Sequence, residues 1–137
     1  MANEPILVVD DNPLNLKLAR LLLASENYEV RTAEHAAAAL AVLEIFHPRL
    51  ILMDIQLPGM DGLELTRRLR ADPSLDAVVI LALTAYAMET DEQKALDAGC
   101  DGYIAKPLDT RSLPEVVRAY LDRPAGQPRQ RSPTVTR

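Results

Sequence analysis

Aromatic residues and cysteine are scarce in this sequence. It has no tryptophan and one phenylalanine, so a core must be built from Leu, Val, Ile, Ala and Met side chains. That composition suits helices packed on a parallel sheet. Cys100 is the only cysteine, which excludes an internal disulfide bond and a cysteine-based zinc site, and we interpret it as a small buried hydrophobic residue.

Long apolar segments and a basic leader are also missing. The first residues, MANEPILVVDD, contain no basic stretch and reach acidic residues before the apolar core of a signal peptide could form. No apolar run approaches the length of a membrane span. We therefore expect a cytoplasmic protein that makes no membrane contact.

The length and the charge distribution favour one acidic domain with a basic tail. A chain of 137 residues can form one domain with a substantial core and is short for two. Four of the 15 basic residues, and none of the 20 acidic ones, lie after residue 122. The body is therefore a poor candidate for direct nucleic-acid binding. We predict one domain over residues 1–122 and a disordered, Pro- and Arg-rich tail over residues 123–137.

Continuous apolar runs, rather than alternating ones, predict three strands that are covered on both faces. The runs are ILVV at residues 6–9, LILM at 50–53 and VVILAL at 78–83. The segment YEVRTA at 28–33 alternates more and is typical of an edge strand, and GYIA at 102–105 is a short fifth strand.

Helical patterns separate these runs. Leu14, Leu18, Leu21 and Leu22 fall at the i, i+4, i+7 and i+8 spacing of one helix face. Helix-forming segments follow at HAAAALAVLEIF, DGLELTRRLRA, METDEQKALDA and TRSLPEVVRAYLD. The alternation of strands and helices with short connections predicts an α/β fold, a doubly wound parallel sheet with helices on both faces.

Polar and charged residues stand where the predicted strands end. Asp10 and Asp11 follow the first strand, Asp54 and Thr84 end the third and fourth, and Lys106 follows the fifth. Ligands of doubly wound sheets bind at this carboxyl edge, so the groups converge if the strands are neighbours. Converging carboxylates repel one another, and a hard cation such as Mg²⁺, Mn²⁺ or Ca²⁺ would relieve the repulsion. Lys106 and Thr84 could then bind a phosphoryl group.

Each of these residues has a simpler explanation when it is taken alone. Asp10 or Asp11 could cap the helix that begins near Pro13, since aspartate is a common helix cap. A lone lysine is usually a surface charge, and threonine is common in strands. Their combination at the ends of four strands favours a binding site.

Four motifs, VVDDN, LILMDIQLPGMDG, LTAYA and GYIAKPL, occur in this order along the chain. Together they resemble the CheY-like receiver domains of bacterial two-component response regulators, over about residues 5–122. The segments DDNPLN and DIQLP are most similar to DivK-type single-domain receivers and to the receivers of hybrid histidine kinases. The resemblance implies a flavodoxin-like sheet of five parallel strands in the order 2-1-3-4-5.

The resemblance also implies roles for the residues at the strand ends. Asp54 would be the phosphoacceptor, taking a phosphoryl group from a phosphohistidine on a histidine kinase or a histidine phosphotransfer protein. Asp11 and Asp54 would bind Mg²⁺ directly, Asp10 directly or through water, and the backbone carbonyl of Gln56 would be a further ligand. The metal and Lys106 would neutralise charge on the transferred group.

A second set of positions would transmit the signal to a protein-binding face and set the lifetime of the aspartyl phosphate. In the family, the threonine at the position of Thr84 moves toward the phosphoryl oxygen and the aromatic residue at that of Tyr103 turns inward, which alters a protein-binding face. Alternatively, Tyr103 is a static, half-buried residue. Gln56 and Tyr86 occupy positions that, in the family, tune the phosphate lifetime. Pro107 completes a Lys-Pro pair that matches the family's, in which the peptide bond is usually cis, and the alternative is an ordinary trans turn.

These implied roles describe a signalling receiver, not an enzyme with a separate substrate, that promotes its own phosphotransfer and dephosphorylation. The first helix would meet the phosphodonor, and the face around Tyr103 would meet a downstream effector protein. We expect a monomer or a phosphorylation-dependent dimer.

Three other functions fit parts of the pattern. A haloacid dehalogenase-type phosphatase also uses a strand-end aspartate and Mg²⁺, but it expects a second aspartate where this chain has Gln56. A flavodoxin-like FMN carrier expects Ser, Thr and Gly in the first loop, which here has the sequence DDNPLN. A degenerate receiver that only binds partners is disfavoured by the presence of Asp11, Asp54, Thr84 and Lys106.

Overall fold

The computed structural model of the protein describes residues 4–84, 89–106 and 111–122. Strands and helices alternate through these ranges, as the sequence predicts. The strands are β1 (Pro5–Val9), β2 (Glu29–Ala33), β3 (Leu50–Asp54), β4 (Val79–Thr84) and β5 (Gly102–Ala105). The helices are α1 (Pro13–Ala24), α2 (Ala36–Leu43), α3 (Gly62–Arg70), α4 (Glu89–Ala98) and α5 (Ser112–Leu121), with a short 3₁₀ helix at Pro73–Leu75.

The strands form one parallel sheet in the order β2-β1-β3-β4-β5, which confirms the predicted order. The register places Asp54 of β3 beside Leu83 of β4, and Thr84 of β4 beside Ala105 of β5. The carboxyl ends of β1, β3, β4 and β5 therefore lie side by side at one edge of the sheet.

Different helices cover the two faces of the sheet, because successive side chains of a strand point to opposite faces. On one face, α1 and α5 pack against the strands through Leu16, Ala19, Leu23, Leu113, Val117 and Leu121. On the other, α2, α3 and α4 cover Leu7, Val9, Ile51, Met53, Ile80 and Ala82. The core is mainly aliphatic, as the composition predicts, and Cys100 is fully buried in it.

Side-chain caps define where the first three helices begin. Asn12, His35 and Asp61 precede α1, α2 and α3 and accept hydrogen bonds from backbone N–H groups of the first turn. The cap of α1 is therefore Asn12, and the explanation of Asp10 or Asp11 as that cap is wrong. Both acids are left for another role.

Helix α2 ends earlier than the sequence pattern indicates. The helix-forming segment runs to residue 46, whereas α2 ends at Leu43. The next two residues donate to carbonyls three positions back, which tightens the chain into a turn. This turn brings Phe46 into the core, where the residue is 5% exposed. Burial of the aromatic ring outweighs the helix propensity of the segment.

Three predictions concern residues outside the described ranges. They are the disordered tail over residues 123–137, the role of Tyr86 and the cis bond before Pro107. The domain boundary at residue 122 also stays a prediction. Among the described helices, none combines the length and the apolar character that crossing a membrane requires.

An ion-pair network ties α5 to the segment that leads into β1, at the amino edge of the sheet. The Arg118 guanidinium donates to the two carboxylate oxygens of Glu4 at 2.8 and 3.5 Å, and to the Tyr28 hydroxyl at 3.2 Å. It also lies 2.9 Å from the Asp122 carboxylate. The hydrogen bonds from Arg118 outweigh burial and hold the pKa of Glu4 below its ordinary value.

We expect Glu4→Gln to destabilise the protein by about 1 kcal/mol at neutral pH, a small figure because solvent reaches Arg118. A carboxyl whose pKa is lower in the folded than in the unfolded chain contributes stability above the unfolded value and loses it as the pH falls through the folded value. The stability difference in urea unfolding should therefore shrink in acid. The exposed acid Glu26 provides a control variant, Glu26→Gln. A difference that persists undiminished in acid would contradict this account.

Candidate functional site

The carboxyl edge of the sheet gathers the residues that the sequence predicts for the site. Asp10 follows β1 and is fully buried, Asp54 ends β3 and is 2% exposed, and Thr84 ends β4 and is 3% exposed. Asp11 follows at the exposed rim. Lys106 follows β5, and its backbone N–H donates to the Thr84 carbonyl at 2.7 Å, which holds the end of β5 against β4.

Three carboxylates meet at this edge. One oxygen from each of Asp10, Asp11 and Asp54 lies within 4.8 Å of the others, with Asp11 exposed and the other two buried. All of these ligand atoms are oxygen, which is the set that Mg²⁺ prefers. The exposed position of Asp11 leaves room for the water molecules that Mg²⁺ usually retains. The residues therefore fit a magnesium ion.

The ammonium group of Lys106 lies between the two buried carboxylates. Its Nζ is 2.9 Å from Asp54 Oδ2 and 3.4 Å from Asp10 Oδ2. Burial disfavours the charged ammonium, but the hydrogen bond and charge of Asp54, with the charge of Asp10, outweigh burial and raise the pKa of Lys106. The lysine is therefore charged at neutral pH. One ammonium still leaves an excess of negative charge among three carboxylates, which favours the addition of a cation.

Asp54 is held by a contact at each of its oxygens. Oδ1 accepts a hydrogen bond from the backbone N–H of Gln56 at 2.9 Å, and Oδ2 accepts one from Lys106. Burial, assisted by the charge of Asp10, nevertheless raises the pKa of Asp54 above its ordinary value. The carboxylate is thus well positioned, but its charge is unfavourable in this environment.

The other predicted residues lie around this centre. The Gln56 backbone adjoins Asp54 and the residue is exposed, while the role of its carbonyl as a metal ligand stays a prediction. Tyr103 in β5 pairs with Ala82 of β4 and is half-buried against the core layer that α2, α3 and α4 cover. Thr84 and Tyr103 thus lie on neighbouring strands, and their role as a switch also stays a prediction.

Two asparagines that the sequence analysis does not single out contact Asp10. The backbone N–H of Asn12 donates to Asp10 Oδ1 at 2.9 Å, and the side-chain amide of Asn15 donates to Oδ2 at 3.2 Å. Asn12 caps α1 and Asn15 lies three residues later, on the same side of the first turn. Two asparagines at this spacing, directly after the acid pair, are a signal that the sequence does contain.

A glycine at the start of α3 lets this helix approach the end of β3. The Gly62 N–H donates to the Ile55 carbonyl at 3.2 Å. A Cβ atom at residue 62 would overlap the backbone carbonyl oxygen of Asp54 and would lie 2.7 Å from the Ile55 Cα. The backbone position of Asp54 therefore depends on the absence of a side chain at residue 62.

We expect Gly62→Ala to cost about 3 kcal/mol of stability, because the clash is with backbone atoms rather than with a flexible side chain. Gly59→Ala is a matched control. Residue 59 has a φ of +78° but no heavy atom within 4 Å of an added Cβ, so this variant should cost only about 1 kcal/mol. Urea unfolding compares the two. Equal costs would contradict the close approach of α3 to β3.

Asp54→Asn should stabilise the metal-free protein at neutral pH. The pKa of Asp54 is raised in the folded state because burial opposes its charge, so ionisation of this residue destabilises the fold above that pKa. As the pH falls through the folded pKa the penalty disappears, and wild type and variant should converge. Thermal unfolding in EDTA at neutral and acidic pH measures both effects. A variant less stable than wild type at neutral pH would show this interpretation to be wrong.

Comparison with known sequences identifies relatives over most of the chain. The response regulator receiver domain family matches residues 6–118. The polar-differentiation response regulator DivK of Brucella ovis is 40% identical over 116 residues, which cover 85% of this chain and 94% of the relative.

Solved structures share the fold. The chemotaxis response regulator CheY4 of Vibrio cholerae is 26% identical, with a TM-score of 0.81, covering 85% of this chain and 97% of that one. The receiver domain of a sensor histidine kinase from Pseudomonas aeruginosa is 35% identical, with a TM-score of 0.79, covering 88% of this chain and 98% of that one. That structure has a magnesium ion coordinated in its active-site cleft. The chain thus belongs to the response regulator receiver domain family and is homologous to DivK and to the CheY-like receivers of two-component systems.

Proposed function

We propose that this receiver accepts a phosphoryl group on Asp54 from a phosphohistidine, and that the aspartyl phosphate switches a protein-binding face. The observation that carries the proposal is the 2.9 Å contact between Asp54 and Lys106, beside the carboxylates of Asp10 and Asp11. This arrangement offers a nucleophile, a fixed positive charge and oxygen ligands for a cation within one pocket.

In the transfer, an oxygen of the Asp54 carboxylate forms a bond to phosphorus, and the phosphorus–nitrogen bond to the donor histidine breaks. The leaving imidazole keeps the electron pair of that bond and takes up a proton. Lys106 donates to the phosphoryl oxygens, while the Gln56 N–H restricts rotation of the Asp54 carboxylate. Asp10, Asp11, Asp54 and the Gln56 carbonyl would hold Mg²⁺, which would supply positive charge that offsets the charge of the phosphoryl group.

Thr84 and Tyr103 are the proposed link from the phosphate to the protein-binding face. Thr84 ends β4 and its hydroxyl would donate to a phosphoryl oxygen on Asp54. The half-buried ring of Tyr103 would then turn inward and change the face formed by α4, β5 and α5. The same pocket would promote hydrolysis of the aspartyl phosphate, which makes the signal reversible.

The proposed partners are proteins. A histidine kinase or a histidine phosphotransfer protein would supply the phosphoryl group, and an effector protein would bind the altered face. The donor would meet α1, because this helix begins beside the pocket and carries exposed leucines, Leu14 at 76% and Leu21 at 53%. We place these exchanges in the cytoplasm, with the protein as a monomer or a phosphorylation-dependent dimer and without direct nucleic-acid or membrane contact.

The alternative functions fit this geometry less well. Gln56 stands two residues after Asp54, and its amide cannot act as the general acid of a haloacid dehalogenase-type phosphatase. Asp11 at the rim would repel the phosphate of an FMN cofactor. A receiver that only binds partners would have the same geometry without the phosphate chemistry, so an experiment must separate these two functions.

We expect wild-type protein incubated with acetyl phosphate and Mg²⁺ to gain the mass of one phosphoryl group in intact-mass spectrometry. Asp54→Asn keeps the side-chain shape but removes the nucleophile, so this variant should gain none. EDTA should prevent the gain in wild type. Glu64→Gln, at an exposed acid of α3 outside the cluster, is a matched control that should be modified like wild type.

If no phosphate adduct is detected, a second reagent distinguishes rapid hydrolysis from the absence of phosphoryl binding. Beryllofluoride is a stable mimic of the phosphoryl group, and NMR spectra of the protein with Mg²⁺ report its binding. Binding without a stable phosphate adduct would indicate rapid hydrolysis and would support the proposal. The absence of both an adduct and beryllofluoride binding would refute it and favour a phosphate-independent binding module.

A further inference from the structure

We propose that Asn15 is a positioning residue whose side-chain amide fixes the Asp10 carboxylate for metal binding and keeps Lys106 directed at Asp54. The observation behind the proposal is the hydrogen bond from Asn15 Nδ2 to Asp10 Oδ2, at 3.2 Å. The inference rests on the magnesium site of the proposed function, but not on phosphotransfer.

The orientation of Asp10 is set by protein groups, because this residue is fully buried. Its Oδ1 accepts the backbone N–H of Asn12 at 2.9 Å. Its Oδ2 accepts the amide of Asn15 and lies 3.4 Å from Lys106 Nζ. The terminal torsion of an aspartate is broad, so a contact at only one oxygen would leave the carboxylate free to rotate. Asn12 and Asn15 together determine which lone pairs face the other two acids.

Asn15 also influences how the Lys106 ammonium is shared. The ammonium is nearer to Asp54 Oδ2, at 2.9 Å, than to Asp10 Oδ2, at 3.4 Å. The Oδ2 atom of each buried carboxylate faces Lys106 and needs a hydrogen-bond donor. At Asp10 Oδ2 the Asn15 amide supplies this donor without adding charge. Without this amide, we expect the ammonium to shift toward Asp10 and to leave Asp54 less well paired.

The contact connects α1 mechanically to the pocket. The Asn12 side chain accepts the N–H groups of Leu14 and Asn15 at 2.8 and 3.4 Å, so the cap and the first turn form one unit with Asp10. On that turn Leu14 is 76% exposed. A displacement of the start of α1 would therefore move the amide that holds Asp10.

Mg²⁺ affinity, measured by NMR titration of the backbone amides, tests the proposal without phosphorylation. Asn15→Leu keeps the approximate shape of the side chain but removes the donor, and it should weaken Mg²⁺ binding about tenfold, as loss of an outer-shell partner typically does. Asn15→Ala removes the amide without adding a large apolar group and should give a similar loss. Ser25→Ala, at the exposed residue that directly follows α1 and far along the helix from its first turn, should bind Mg²⁺ like wild type. Urea unfolding in EDTA verifies that each variant is folded.

A double-mutant cycle with Asp10→Asn separates positioning from a general effect on the fold. In the Asp10→Asn background, Asn15→Leu should change the affinity by less than about twofold, because the carboxylate that Asn15 positions is gone. Equal losses in both backgrounds, or an unchanged affinity in the single variant, would overturn the role of Asn15. Wild type that bound no Mg²⁺ would refute the metal site and this inference together. If the cycle gave the expected result but neither a phosphate adduct nor beryllofluoride binding were found, only the phosphoacceptor proposal would be refuted.

Discussion

The burial of two carboxylates at one edge of a parallel sheet is the constraint on which the rest of this structure depends. Asp10 and Asp54 are 0% and 2% exposed, and both contact one ammonium, that of Lys106. Like charges in such a place repel more strongly than in water because the local dielectric is low. The fold therefore carries an electrostatic penalty at its carboxyl edge, which a bound cation would relieve. Because the local dielectric is low, a small change of charge in this pocket should strongly alter the electrostatic interactions of Asp10 and Asp54 with the groups around them.

The backbone keeps this repulsion from separating the acids. Asn12 and Gln56 each donate their N–H to the side chain of the acid two residues earlier, so the loops after β1 and β3 hold their carboxylates by the same turn. The close approach at Gly62 brings α3 against the end of β3. The hydrogen bond from the Lys106 N–H to the Thr84 carbonyl fixes the base of the lysine. Asp10, Asp54 and Lys106 thus lie at the ends of three different strands, β1, β3 and β5, and the aliphatic core sets the distances between these strands.

Topology explains which parts of this arrangement could be predicted from the sequence. Buried parallel strands leave continuous apolar runs, and their carboxyl ends meet at one edge whatever the local details, so the convergence of the acids with Lys106 follows from the strand ends alone. The end of α2 did not follow, because residues 35–46 contain no Gly or Pro that would mark it, and burial of Phe46 decides the boundary. Spacing puts Asn15 on the correct turn, but its contact with Asp10 depends on the angle at which α1 leaves the sheet. Arg118 and Glu4 are 114 positions apart, a contact that no local pattern indicates.

The two edges of the sheet differ in charge, and this difference affects how a structural change at the pocket would be transmitted to β5 and α5. At the amino edge Arg118 is paired with Glu4, and the pairing lowers the pKa of the acid and stabilises the end of α5. At the carboxyl edge like charges dominate. Helix α5 packs into the core along its length, but only the end that carries Arg118 is also tied by this ion pair, while its other end follows the segment after Lys106. A shift at Tyr103 or Lys106 would be taken up mainly by β5 and the start of α5. The change in the proposed protein-binding face should thus be largest beside the pocket and smallest at Arg118.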